Sequence, residues 1–421
     1  MSEPAARREP PPVGLIVAAL LLHLLPFFAR PALIGGDEPH YALAAYSLGT
    51  DGDLDLTDDY VAVREGALAA GEKQAGKDLD RHLVWVNGRQ VFAHPIGLPA
   101  LASPLIATLQ MISPGAAPDL PLGLLSLAVT FAGLATGWLL LRDLAGGAPV
   151  ASWLVFCVYF SSPLWYYSRT FFTESYTWAF AVLGISALAR RRPLLAGLFL
   201  ALTLAMKETA LLLVLPILLG AMALQGVGTA AVAAIGPGLF GLAFIGKNLL
   251  LTGQLFSTFQ PFEYGDFRSG AWGLLFDSSH GLFWFAPLLW VAMFGWLVRP
   301  RDRQQAWLGR CCLMAFIGYF ALTAAWVDWR GGSSYATRLL LPALPALAVP
   351  LLRLTRALPQ RLAAGLLGGL ATLGFSINFC AAVDPRPALW GASVADLVAG
   401  QPLAFFAIAP LTAVTLFWSK N

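Results

Sequence analysis

Charge is what this chain is short of. Only 12% of its 421 residues are Asp, Glu, Lys or Arg, against about a quarter in an ordinary soluble domain. The net charge of +3 is too small to attract nucleic acid, and no nucleic-acid partner is expected. With five histidines, a His-rich metal site is not expected either. The four cysteines, Cys157, Cys311, Cys312 and Cys380, lie inside apolar runs, where packing is the expected role rather than a disulfide or metal ligation. No G-x-x-x-x-G-K-[ST] cradle occurs, so a soluble nucleotide donor is not indicated. No repeat of roughly 20 to 50 residues is visible, and the halves show no inverted pair of broken helices of the kind transporters use.

What the chain has instead is apolar length. It is 57% hydrophobic, with a mean hydropathy of +0.67. Runs of roughly 17 to 25 apolar residues recur and read as membrane-spanning helices. The first, Val13 to Phe28, follows Arg7-Arg8 like a signal peptide, but no small-residue cleavage site comes after it. An uncleaved first helix is expected. Richness in Ala, Gly, Leu and Arg points to a GC-rich bacterial genome, and so to a multi-pass protein of the inner membrane.

Basic residues set the orientation. Arg7-Arg8 places the N-terminus in the cytoplasm and the segment from Pro31 to Pro121 outside. Glu38 to Leu48 is expected to lie flat as an amphipathic interfacial helix. The run Asp51 to Asp59 resembles a calcium loop, but Leu56 replaces the required Gly and Ala62 the closing Glu, so a solvated acidic loop is expected. Leu83 to Phe92 alternates around Asn87-Gly88, a hairpin signal, and delivers His94-Pro95. If His94 to Met111 lies along the interface, Arg142 and Arg190-Arg191-Arg192 become cytoplasmic, as the charge rule prefers. Spans then follow over Leu122 to Leu141, Val150 to Trp165, Tyr176 to Ala189, Leu194 to Met206, Thr209 to Leu224, Ala230 to Leu251, His280 to Val298, Cys311 to Trp326, Leu339 to Leu352, Leu362 to Ala382 and Leu403 to Trp418. That is about twelve with the first, both termini being cytoplasmic.

On this layout the acids at helix mouths, among them Asp37, Glu38, Glu174 and Glu208, face away from the cytoplasm, together with Lys207 and Arg338. Ionisable groups at that depth mark a substrate or ion path. A carboxylate can take a proton from an acceptor hydroxyl, and Lys or Arg can hold a phosphate leaving group. The plainer readings are a Glu174–Arg169 pair, a snorkelling Lys207 and a loop-capping His94. Trp165, Trp178, Trp284 and Trp326 read as interface anchors.

The order of these residues resembles the glycosyltransferase-C superfamily, and within it the polyprenol-phosphate-sugar transferases such as protein O-mannosyltransferases and the lipid A aminoarabinose transferase. Carrying the likeness are Gly35-Gly36-Asp37-Glu38 after the first helix, His94-Pro95 closing the loop, Thr173-Glu174 before a helix and Lys207-Glu208 after a short one. Trp329-Arg330-Gly331-Gly332-Ser333, Tyr335 to Arg338 and Asp277 to Phe283 look like segments of uncharacterised members. The resemblance implies that Asp37 is the catalytic base, assisted by Glu38 or Glu174. It implies that Lys207 holds the lipid phosphate; Arg338, an arginine at an external helix mouth, is expected to share that role, and His94, Arg169, Glu208 and Tyr41 are expected to bind substrate too. Relatives often carry Gly-Pro after the lysine, where this chain has Glu208-Thr209. A divalent cation, Mg or Mn, at Asp37 and Glu174 is a further implication.

The expectation is an all-α polytopic membrane protein of the glycosyltransferase-C fold, with about twelve transmembrane helices and a long first external loop carrying interfacial helices. Residues 1–12 would form a cytoplasmic tail, 13–224 the conserved transmembrane module including loop 31–121, and 225–421 a variable transmembrane region. The expected activity is inverting transfer of a sugar from a polyprenyl-phosphate carrier to a hydroxyl of a glycan, lipid or protein on the periplasmic face, among membrane lipids. A transporter or lipid flippase using the same charges is the alternative.

Overall fold

The computed structural model describes residues 13–29, 36–65, 83–86, 88–92, 94–255, 262–332, 334–384, 391–402 and 405. Arg7-Arg8, Gly35, Asn87, Ser333 and the span expected over Leu403 to Trp418 lie outside them. The chain runs α1 (Val13–Ala29), α2 (Glu38–Thr50), α3 (Thr57–Arg64), β1 (Leu83–Val86), β2 (Arg89–Phe92), α4 (Gly97–Ile112), α5 (Asp119–Ala145), α6 (Ala148–Val155), α7 (Leu164–Tyr167), α8 (Thr173–Ala189), α9 (Pro193–Met206), α10 (Leu211–Gln225) and α11 (Val227–Thr252). It continues through α12 (Phe267–Phe276), α13 (Leu282–Phe285), α14 (Pro287–Ala292), α15 (Arg303–Ala325), a tight helix over Arg338–Leu347, α16 (Ala348–Ala357), α17 (Gln360–Leu362) and α18 (Gly368–Val383).

Six helical stretches are long and apolar enough to cross a membrane, and four shorter apolar ones accompany them among the described residues. Helices α1 and α8, at 17 residues each, fall just below that length. Proline at the first turn of α2, α6, α9 and α14 starts each helix where its missing N–H is not needed. The hairpin expected around Asn87-Gly88 is present: β1 and β2 pair antiparallel, Val86 opposite Arg89, with Gly88 at φ +83°.

Lipid offers no hydrophobic force between helices, so close backbone approach does that work. A methyl group at Gly236 of α11 would lie 2.2 Å from the Gly197 carbonyl oxygen of α9. Helices α5 and α8 run alongside each other, with the Ser126 and Tyr176 hydroxyls 2.7 Å apart and Gly133 seated against Trp178 and Ala179.

Two expectations need correction here. Helix α2 does not present the solvent face of an amphipathic helix over Glu38 to Ala45. Glu38 to Ala45 are buried, because α4, α5, α8 and the segment leading into α8 supply Leu98, Ala102, Leu122, Tyr176 and Phe171 around them. The single span read over His280 to Val298 is broken at Ala286 (φ −146°, ψ 62°) into α13 and α14. Pro287 removes the N–H that would continue the helix.

The acidic run is exposed at Asp51, Asp53 and Asp58, as expected of a solvated loop, and buried at its last acid. Asp59 is 4% exposed, and its Oδ2 has no hydrogen-bond partner among the described residues. Burial first, then Asp58 and Asp51, push its carboxyl up to about 7. The folded protein therefore holds a proton that the unfolded chain has lost, and stability falls as pH rises from about 4 to about 7. Asp59→Asn is expected to flatten that fall. Melting in detergent would place it about 1–2 kcal/mol above the parent at pH 8, a figure reduced for solvent screening, and level with it near pH 4.

The two ends of the bundle differ in chemistry. At one end the Arg356 guanidinium donates to the Ala145 carbonyl (3.0 Å), Arg353 to Gln305 (2.6 Å) and Gln225 to Leu188 (2.9 Å). That gathers the C-terminal ends of α5, α8, α10 and α16 with the start of α15. Between this end and the other lies an apolar cavity of about 570 Å³, lined by Leu134, Trp178, Leu213, Pro342 and Val349, with Gln225 and Asp302 toward the arginine-rich end. The residues singled out for chemistry collect at the other end.

Candidate active site

Asp37 occupies the N-cap position of α2, but its side chain makes no capping bond. It reaches Arg338 instead: Nη1 donates to Asp37 Oδ2 at 3.1 Å, across 301 residues of chain. Glu174 lies in the first turn of α8, where the helix dipole favours a carboxylate. Its Oε1 accepts from Lys207 Nζ at 2.7 Å and lies 3.9 Å from Arg338 Nε. Lys207 is available because α9 ends there in extended backbone before a new tight turn begins at Glu208. Two carboxylates and two cations from four separate elements thus share one site. The side chains of Glu174 and Arg338 are 4% and 10% exposed.

Arg338 is held from three sides. Its Nη2 donates to the Gly331 carbonyl at 3.0 Å, and its guanidinium lies 4.7 Å above the Phe172 ring. The Gly331 carbonyl is fixed in turn by its own loop. Gly331 and Gly332 adopt φ +69° and +70°, a region open to glycine at no steric cost. The Asp328 backbone carbonyl and side chain accept from their amides at 2.9 and 3.2 Å. Arg330 ties the loop to Asp277 Oδ2 (3.5 Å), whose other oxygen meets His280 Nδ1 at 3.3 Å. The His280 ring donates in that contact, because the carboxylate can only accept.

Tyr41 is buried beside the cluster. Burial, then the charges of Asp37 and Glu174, raise its phenol well above the ordinary value, so it remains protonated. The His94 ring packs 5.4 Å from Tyr41 and 5.5 Å from Phe92, which places it on the flank of the site.

Three candidates do not join the quartet. Glu38, adjacent to Asp37, turns away and accepts from the Phe171 backbone amide. A helix presents neighbouring side chains about 100° apart, so consecutive acids cannot face one cavity together. Glu208 feels Lys247 as well as Lys207. Arg169 does not pair with Glu174, whose partner is Lys207. Phe172 and the Gly331 carbonyl are the parts sequence reasoning missed. Neither is a charged side chain, and only the Gly-Gly pair hinted at the second.

A divalent cation does not fit these residues. Arg338 already spans both Asp37 and Glu174, and no group of three or more His, Cys, Asp or Glu side chains able to hold a metal occurs among the described residues.

No protein family matches the chain's sequence, and no curated protein does. Two solved structures resemble it. One is ArnT from Cupriavidus metallidurans bound to undecaprenyl phosphate, at 15% identity and TM-score 0.51 over 97% of this chain and 77% of that one. The other is the same protein in the apo state, at 14% identity and TM-score 0.50 over 97% and 74%. At such identity the likeness is one of fold alone, an all-α polytopic arrangement shared with ArnT, as expected from the sequence.

Proposed function

We propose that this protein is a membrane-embedded glycosyltransferase that moves a sugar from a polyprenyl-phosphate carrier to an acceptor hydroxyl, with inversion. The observation that carries this reading is the bridge from Arg338 to Asp37 and Glu174, with Lys207 on Glu174. The fold shared with ArnT, crystallised with undecaprenyl phosphate, supports the choice of carrier.

In this mechanism Asp37 accepts the proton of the acceptor hydroxyl as its oxygen attacks the anomeric carbon. The bond from that carbon to the phosphate oxygen breaks on the opposite face, and its electron pair stays with the phosphate. A carrier phosphodiester of one negative charge thereby becomes a monoester of two. The site is balanced to meet that change. Protonation of Asp37 cancels the charge that held Arg338 at 3.1 Å, freeing the guanidinium as the phosphate gains its second charge. Lys207 supplies the second cation, and Glu174 holds it in place. The apolar cavity lined by Leu213 and Pro342 is the candidate volume for part of the carrier's tail.

The reading also carries a sidedness. With the arginine-rich end in the cytoplasm, the quartet opens to the periplasm of a bacterial inner membrane. Asp37, Glu174 and Lys207 belong to 13–224, but Arg338 does not, so region 225–421 completes the site rather than merely decorating it. Acceptors of the glycan, lipid or protein class all present the hydroxyl required.

Asp37→Asn in membranes supplied with labelled polyprenyl-phosphate sugar is the direct test. Transfer should drop by about 10²–10⁴-fold with the fold intact. Near-normal transfer would remove Asp37 as base. Consumption of the carrier in detergent separates this enzyme from a flippase, which needs two compartments.

A further inference from the structure

Arg169 differs from the other cations of the site. Lys207 and Arg338 each rest on carboxylates, whereas Arg169 is 3% exposed and neither Nη1 nor Nη2 has a hydrogen-bond partner among the described residues. Its guanidinium lies 5.8 Å from the centre of the Tyr166 ring. Guanidinium cannot shed its proton as a buried lysine can. An uncompensated charge in the interior is among the most destabilising features a fold can carry.

The segment bearing it is firmly positioned. The Thr170 amide donates to the Tyr167 carbonyl at 3.2 Å, the Phe171 amide is held by Glu38, and the Ser175 hydroxyl donates to Tyr167 at 2.7 Å. Phe172, three residues on, is the ring beneath Arg338. Arg169 is therefore fixed in the segment that builds the site, with both terminal nitrogens unused. A fork of two free N–H groups matches the paired oxygens of a phosphate-class anion, and a neutral sugar hydroxyl would leave the charge uncompensated.

We propose that Arg169 is an anion receptor that becomes compensated only when a substrate's phosphate-class group binds, while the Asp37–Glu174–Lys207–Arg338 quartet stays neutral until chemistry begins. The identity of that anion rests on the transferase reading. It is either the carrier's phosphate or a phosphate on the acceptor.

Thermal melting of the full chain in detergent tests this, with undecaprenyl phosphate, undecaprenol and a phosphorylated glycolipid (lipid A) as probes. In the parent, a phosphorylated probe should raise Tm by several degrees more than its neutral counterpart. Arg169→Met should lose at least tenfold in affinity for that probe, with ligand-free Tm unchanged or higher, since an unpaired charge has been removed. Arg169→Lys should keep part of the shift. Loss confined to undecaprenyl phosphate assigns the anion to the carrier; loss confined to lipid A assigns it to the acceptor. Parental shifts in Arg169→Met, or a ligand-free Tm lowered in both variants, would overturn the proposal and leave Arg169 as scaffold. A parent that binds phosphate through Arg169 but transfers no sugar would sink the transferase reading alone.

Discussion

Arg338→Met is expected to abolish sugar transfer and to lower stability in detergent by about 3–5 kcal/mol, the loss typical of removing one partner from a buried ion pair. Asp37 would lose its 3.1 Å partner and Glu174 one of its two cations. Glu174, at 4% side-chain exposure, would be left with Lys207 as its ion-pair partner. Pairing the change with Asp37→Asn should return a share of the lost stability, because the second substitution removes the orphaned charge. Activity should not return. A double-mutant cycle measures that coupling, expected at about 0.5–3 kcal/mol between contacting charges. Arg338→Lys is a sharper probe still. It retains charge but cannot hold Asp37, the Gly331 carbonyl and the Phe172 face at once, so it should fold well and transfer poorly. Should Arg338→Met keep a tenth of parental transfer, the role given to the bridge is wrong.

Lys207→Met carries the second large effect. Its ammonium is the closest cation to Glu174, at 2.7 Å, and in the proposed mechanism it faces the charge that grows on the leaving phosphate. Removing one such group is expected to slow turnover by about 10²–10³-fold. The companion variant Lys207→Met/Glu174→Gln separates structure from chemistry. It should melt near the parent, since neither partner is left charged and alone, yet remain as slow as the single variant. If the double variant recovers transfer as well as stability, the ion pair serves the fold and the phosphate is held elsewhere. Carrier KM and kcat read together show whether Lys207 acts in binding or only as the bond breaks.

Much of the architecture was open to reading from composition, since in lipid every backbone polar group must be bonded within its own helix. Apolar runs such as Leu122 to Leu141 and Ala230 to Leu251 became α5 and α11, and Asn87-Gly88 announced a hairpin whose strands are present. Prediction failed where a neighbour overrode the local pattern. The polar residues of α2 suggested a solvent face, but α4, α5 and α8 cover it. Ala286-Pro287 broke a run that hydropathy alone read as continuous.

Hydropathy and the placement of basic residues, local properties of a few consecutive side chains, determined by themselves that this is a multi-pass membrane chain with acids and cations gathered at helix mouths. Which of those charges meet was decided only by packing. Asp37 and Arg338 are 301 positions apart, and no periodicity carries information over that distance. The same packing turned Glu38 toward the Phe171 amide while its neighbour Asp37 went to Arg338, and left Arg169 buried with no hydrogen-bond partner for either terminal nitrogen among the described residues. Direction around a helix and the presence of a counter-charge are properties of the surroundings in space, and they exist only once the helices have come together.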